Sequence, residues 1–128
     1  MKYLPVDILQ SFMQEVFIKL GVPEEEAQIC SDVLIASDLK GIESHGIGRL
    51  KMYYDRIKAG IQNPVTNIDV IRDKYATAVW DGNNGMGQVI SKKAMQTAID
   101  KAAKYGLGAV AVRNSTHFGI CGYYAEMA

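Results

Sequence analysis

The sequence predicts an α/β fold in which N-terminal helices precede a sheet with helices packed against it. Three observations predict it. Apolar residues recur at helical spacing through the first half of the chain. Short strand-like runs begin only after Asn63-Pro64. An unbroken apolar run, 107–112, then follows a further helical segment, the order expected of strands linked through helices.

Ile8, Leu9, Phe12, Met13, Val16, Phe17 and Leu20 share one face of a first helix, which Gly21 ends. Pro23 opens a second at its N1 position. Glu24, Glu25 and Glu26 in the first turn favour the positive end of the helix dipole, and this helix runs to Leu39 and stops at Gly41. Ser44 is a good N-cap residue for a third helix over 47–59, with Gly60 as its stop. The segments 67–71 and 77–80 read as two strands, joined in a hairpin across Asp73-Lys74. The glycine-rich turn 81–87 leads into a fourth helix, 88–105, ended by Gly106. The run 107–112 reads as a strand buried on both faces. The polar stretch from Arg113 to Gly119 lies at its C-terminal end, where ligands bind in open α/β sheets. A last helix starts near Cys121. The strand 107–112 has few neighbours in this sequence, so the chain is expected to be a truncated piece or to depend on another chain to finish its sheet, being helical over about 1–62 and sheet-forming over about 63–128.

Of the 128 residues, 48% are hydrophobic, which supplies a globular core. Lys+Arg and Asp+Glu are both 14, so no basic excess favours nucleic acid or an anionic membrane. The N-terminal stretch, with Lys2, Pro5, Asp7, Gln10 and Glu15, lacks the apolar run of a signal peptide. No run is long enough for a membrane span. The two cysteines, Cys30 and Cys121, form no CxxC pair and read as buried free thiols of a cytoplasmic protein.

The chain has two histidines, His45 and His117. Each follows a small hydroxyl residue closely and precedes a glycine, in Ser44-His45-Gly46 and Ser115-Thr116-His117-Phe118-Gly119. Histidine is the natural acid/base near neutral pH, and an adjacent glycine permits close approach of backbone or ligand. Arg49 stands four residues after His45, so the two can share a cleft. A guanidinium fork fits the carboxylate of a 2-hydroxyacid while an imidazole handles its hydroxyl proton. Tyr53, a further turn along, adds a hydroxyl to the same face. Structural roles are the competing readings: a solvated charge for Arg49 and a half-buried aromatic for Tyr53.

The turn Gly82-Asn-Asn-Gly85-Met-Gly87 lies between a strand and a helix, as a phosphate-binding turn does. Its spacing is not G-x-G-x-x-G, and it lacks the Lys-Ser/Thr of a P-loop, so it reads as a plain strand-to-helix turn. No His or Cys pair has metal-ligand spacing, and no metal is expected.

Three segments together resemble the malate/L-lactate dehydrogenase family. They are Asp38-Leu-Lys-Gly-Ile-Glu-Ser-His-Gly-Ile-Gly-Arg-Leu, Asp81-Gly-Asn-Asn-Gly-Met-Gly-Gln, and Val112-Arg-Asn-Ser-Thr-His-Phe-Gly, followed by Tyr123-Tyr124. The resemblance covers essentially the whole chain as the N-terminal portion of a longer protein. The family includes malate, L-lactate, sulfolactate, ureidoglycolate and diketogulonate oxidoreductases. The resemblance implies a mixed-sheet, non-Rossmann α/β fold, NAD or NADP as hydride carrier, a small 2-hydroxyacid or 2-oxoacid substrate, and a homodimer with the active site near the subunit interface. It gives His117 the acid/base role, with His45 as the alternative, and places Ser44, Arg49 and Tyr53 around the substrate. It carries over no cofactor-binding position. Two rival readings accompany it: a non-catalytic assembly or binding module that pairs through its unfinished sheet, and nucleotide binding through Gly82 to Gly87.

Overall fold

The computed structural model describes residues 3–128; Met1 and Lys2, part of the stretch read above for a leader, lie outside them. The elements run α1 (Val6–Lys19), α2 (Glu24–Leu39), two 3₁₀ turns (Glu43–His45 and Ile47–Arg49), α3 (Leu50–Lys58), β1 (Asp69–Lys74), β2 (Thr77–Asp81), α4 (Gly87–Tyr105), β3 (Ala109–Arg113) and α5 (Cys121–Met127).

The glycine stops expected from the sequence are where the helices end. Gly21, Gly41, Gly60 and Gly106 carry φ between 71° and 93°. After α1 the Gly21 amide donates to the Ile18 carbonyl and the Val22 amide to the Phe17 carbonyl, a paired closure that also packs buried Val22 with Phe17. Pro23 takes the N-cap position rather than N1.

One core joins the helical half to the sheet half. Met13 and Phe17 of α1, Cys30 and Leu34 of α2, and Leu50 and Tyr53 of α3 pack with Met86 and Val89 at the start of α4. Each large apolar side chain buried here contributes about 1.5–3 kcal/mol. α2 is buried on most sides, including Ser31 and Ser37, whose hydroxyls are satisfied by the Gln28 and Ile42 carbonyls at 2.9 and 2.6 Å. That is why its sequence is less sharply two-faced than that of α1.

The sheet has the order β1-β2-β3, with β1 antiparallel and β3 parallel to β2, and is therefore mixed. α4 makes the crossover between the parallel pair. Ala94 on α4 packs against Ala78 and Trp80 of β2 in a second, smaller core with Val110 and Val112 at its edge.

Four expectations are corrected. The hairpin does not turn at Asp73-Lys74: these residues pair with Ala78 and Thr77, and the turn is Tyr75-Ala76, with Tyr75 at φ 42°. β1 is exposed along its whole length, so its polar residues resemble turn chemistry. β3 is not buried on both faces; Val110 and Val112 pack toward the Ala78, Trp80 and Ala94 cluster, while the alternate residues Ala109, Ala111 and Arg113 point to the opposite, uncovered face. Cys30 is buried but Cys121 is exposed. The third α-helix starts at Leu50, after the two 3₁₀ turns, and Ser44 does not cap it, because it lies inside the first of those turns.

Candidate active site

The site is built on two loops. The first follows α2 and carries Ser44, His45 and Arg49. The Asp38 carboxylate, in the last turn of α2, accepts the Ile47 amide at 2.8 Å. Gly46 lies against that carboxylate so closely that an added Cβ would stand 1.7 Å from Asp38 Oδ1. Nearby, the Ser37 hydroxyl donates to the Ile42 carbonyl. Arg49 Nε donates to the Ser44 carbonyl at 2.6 Å, and the Ser44 hydroxyl lies 2.9 Å from His45 Nδ1. The loop is thus pinned from α2 and braced across itself.

The second loop leaves the end of β3 and carries His117. Asn114 turns it with φ 51°. Buried Asp81, at the end of β2, receives Arg113 Nε at 2.7 Å, Asn114 Nδ2 at 2.9 and 3.0 Å, and the Asn83 amide at 2.9 Å. These donors hold its carboxyl below the usual carboxylate range: first the Asn83 amide, then the Asn114 and Arg113 side chains. The Thr116 hydroxyl donates to the Gly85 carbonyl at 2.7 Å and accepts the Gly87 amide at 3.0 Å. A Cβ on Gly87 would come within 2.4 Å of the Thr116 and His117 carbonyls.

The glycine turn is therefore the bed of the His117 loop. Its amides are spent inside the protein: Asn83 on Asp81, Asn84 on the Asn114 carbonyl, Gly85 on the Gly82 carbonyl and Gly87 on Thr116. It does not fit the phosphates of a dinucleotide, and none of its residues is assigned to a nicotinamide carrier.

The two loops bring the histidines together. The His45 and His117 rings stack with centroids 5.6 Å apart and planes 22° from parallel. Both are half-buried. Tyr53 lies beneath, fully buried, with its ring edge-on to His117 at 5.7 Å and its hydroxyl 2.7 Å from His117 Nδ1. The Gly119 amide donates to the same nitrogen at 3.3 Å. Burial lowers the His117 pKa, and His45, Arg49 and Arg56 lower it further by opposing a positive charge. Burial also drives the Tyr53 pKa upward, so its phenol keeps its proton.

A separate groove of about 860 Å³ opens between α4, β3 and α5, lined by Ala94, Met95, Val110, Phe118 and Tyr124, among others. It adjoins the His117 loop through Thr116 and Phe118, but neither histidine lines it.

All five residues singled out from the sequence, Ser44, His45, Arg49, Tyr53 and His117, fall on this pair of loops or directly beneath it. Sequence reasoning gave no role to Asp38 or Asp81. Asp38 carried a signal: a carboxylate in the last turn of a helix opposes the dipole and needs another reason to be there. Asp81 was read only as part of a turn.

The arrangement brings two imidazoles and the Arg49 guanidinium together on a mixed-sheet α/β scaffold. The sequence profile of the malate/L-lactate dehydrogenase family matches residues 4–128, and the chain belongs to that family. It is 54% identical over 125 residues to a malate dehydrogenase of Pyrococcus abyssi, covering 98% of this chain and 34% of that protein. It is 50% identical over 127 residues to an L-sulfolactate dehydrogenase of Methanocaldococcus jannaschii, covering 99% of this chain and 35% of that protein. The solved structure of malate dehydrogenase from Pyrococcus horikoshii superimposes with a TM-score of 0.97 at 50% identity, over 99% of this chain and 36% of that one. The chain thus spans about a third of the length of these relatives.

Proposed function

We propose that the protein interconverts a small 2-hydroxyacid and the matching 2-oxoacid, with NAD or NADP as hydride carrier. The observation that carries this reading is the His45–His117 stack, with Arg49 on the same loop as His45. Arg49 Nε is anchored on the Ser44 carbonyl, which leaves the outer edge of the guanidinium for the substrate carboxylate. The substrate oxygen then meets the imidazole pair, which exchanges its proton and hydrogen-bonds it. The nicotinamide supplies or takes the hydride; binding the carboxylate, holding the oxygen and moving its proton fall to the residues described here. Relatives named for malate and for sulfolactate support this substrate class. The reading includes a homodimer, which the family resemblance implies, and a cytoplasmic setting, which the free thiols of Cys30 and Cys121 suit.

The test is reduction of NAD+ and NADP+ by the protein extended to the length of its relatives, with malate, L-lactate and sulfolactate as substrates and propane-1,2-diol as the carboxylate-free control. Turnover with at least one acid and none with the diol is expected. Equal turnover of the diol, or of no acid, overturns the reading.

A further inference from the structure

His117 Nδ1 is met by two hydrogen-bond donors from different parts of the fold. One is the backbone amide of Gly119 at 3.3 Å, which has no other option than to donate. The other is the Tyr53 hydroxyl at 2.7 Å. Tyr53 is fully buried, and its hydroxyl has no other hydrogen-bond partner among the described residues. If the phenol accepted a proton from Nδ1 instead, its own hydrogen would be buried without an acceptor, at a cost of about 1–3 kcal/mol. The Gly119 amide would also face another N–H. Both penalties fall on any species of His117 protonated at Nδ1, whether the Nδ1–H tautomer or the imidazolium.

We infer that Tyr53, with the Gly119 amide, fixes neutral His117 as the Nε2–H tautomer, so that the ring presents a hydrogen-bond donor rather than a lone pair at Nε2. Tyr53 is thereby a positioning residue that acts through His117. The inference rests on the proposed function for its meaning and refines it. An imidazole held this way donates to the substrate oxygen and stabilises negative charge growing there. It does not take up the hydroxyl proton at Nε2, which already carries one, so that task passes to His45. The lowered pKa of His117 agrees, since burial, His45, Arg49 and Arg56 all oppose the second proton. So does the raised pKa of Tyr53, which keeps the phenol a donor.

Gly119 makes the close approach possible. It sits at φ 78°, and a Cβ there would lie 2.5 Å from Val33 Cγ1 on α2. The amide is thus delivered to the ring by a turn that few residues other than glycine adopt.

The tautomer is read by long-range ¹H–¹⁵N correlation of the imidazole rings in the 128-residue chain itself, without substrate or cofactor. With two histidines in the sequence, the His117→Gln spectrum assigns the signals. Spectra are taken near pH 8.5, about two units above the free imidazole pKa of about 6.5. The expected result is a protonated Nε2 and a bare Nδ1 in His117. In Tyr53→Phe, which keeps the buried ring, the Nδ1–H form gains population and the His117 pKa rises. A wild-type His117 protonated at Nδ1 overturns the inference outright. A folded Tyr53→Phe chain with unchanged tautomer and pKa removes Tyr53 from the role, because a merely structural tyrosine would leave both unmoved. If Tyr53→Phe does not fold, the wild-type spectrum alone still decides the tautomer. The measurement involves no turnover, so its failure is distinct from failure of the dehydrogenase reading.

Discussion

Asp38 and Gly46 compete for the same space: the Asp38 carboxylate fills the place where any side chain on Gly46 would begin. The same carboxylate accepts the Ile47 amide and so sets the loop that carries His45 and Arg49. Asp38→Ala removes a hydrogen bond to a charged acceptor and should cost about 1.5–3 kcal/mol. Gly46→Ala overpacks the contact and should cost about 1–3 kcal/mol. Because the alanine at 46 clashes with the very group removed at 38, the double variant should be less destabilised than the sum of the singles. Urea unfolding of the four chains checks this, and strict additivity would show that the two residues do not share the contact.

Arg49 is expected to bind the substrate carboxylate through a planar fork that lysine does not reproduce. In the protein extended to the length of its relatives, Arg49→Lys should raise KM for the 2-hydroxyacid by an order of magnitude or more, about 1.4 kcal/mol or above. The KM for the nicotinamide should move little. Steady-state kinetics with each substrate varied in turn reads both. An effect confined to the nicotinamide would place Arg49 elsewhere in the site.

His117 should titrate below the free imidazole value of about 6.5, because burial and the neighbouring His45, Arg49 and Arg56 disfavour its charged form. The folded chain therefore binds fewer protons at this site than the unfolded chain between the two pKa values. Through this group, stability should rise with pH across that window and level off above about 6.5. A proton NMR titration gives the pKa, and unfolding midpoints across the same pH range give the slope. A His117 pKa above that of free imidazole would reverse the sign and contradict the environment described for it.

Much of this fold is written locally. The helix stops at Gly21, Gly41, Gly60 and Gly106 are legible because a left-handed residue after an amphipathic stretch has a distinct chemistry. The two histidines stand out because each sits in a small-residue loop at an element boundary. What the sequence hides is set by distant partners. The Tyr75-Ala76 turn has no glycine or asparagine to mark it, and its register comes from β2. The exposure of β3 depends on what packs over each of its faces, not on its own apolar run. Tyr53 and His117 are 64 positions apart, and only the packing of α3 under the second loop joins them. The glycines at 82–87 read as a plain strand-to-helix turn, and what that reading hides is that Gly87 is required by the carbonyls of Thr116 and His117 that lie on it.

The histidine pair is expected to act on the substrate oxygen, and the turnover of His117→Ala reads this without an intermediate step. In the protein extended to the length of its relatives, with the 2-hydroxyacid it prefers, kcat should fall by about 10²–10³, the loss typical of one preorganised donor at a developing charge. Turnover within a few-fold of wild type in a correctly folded variant would remove His117 from the chemistry.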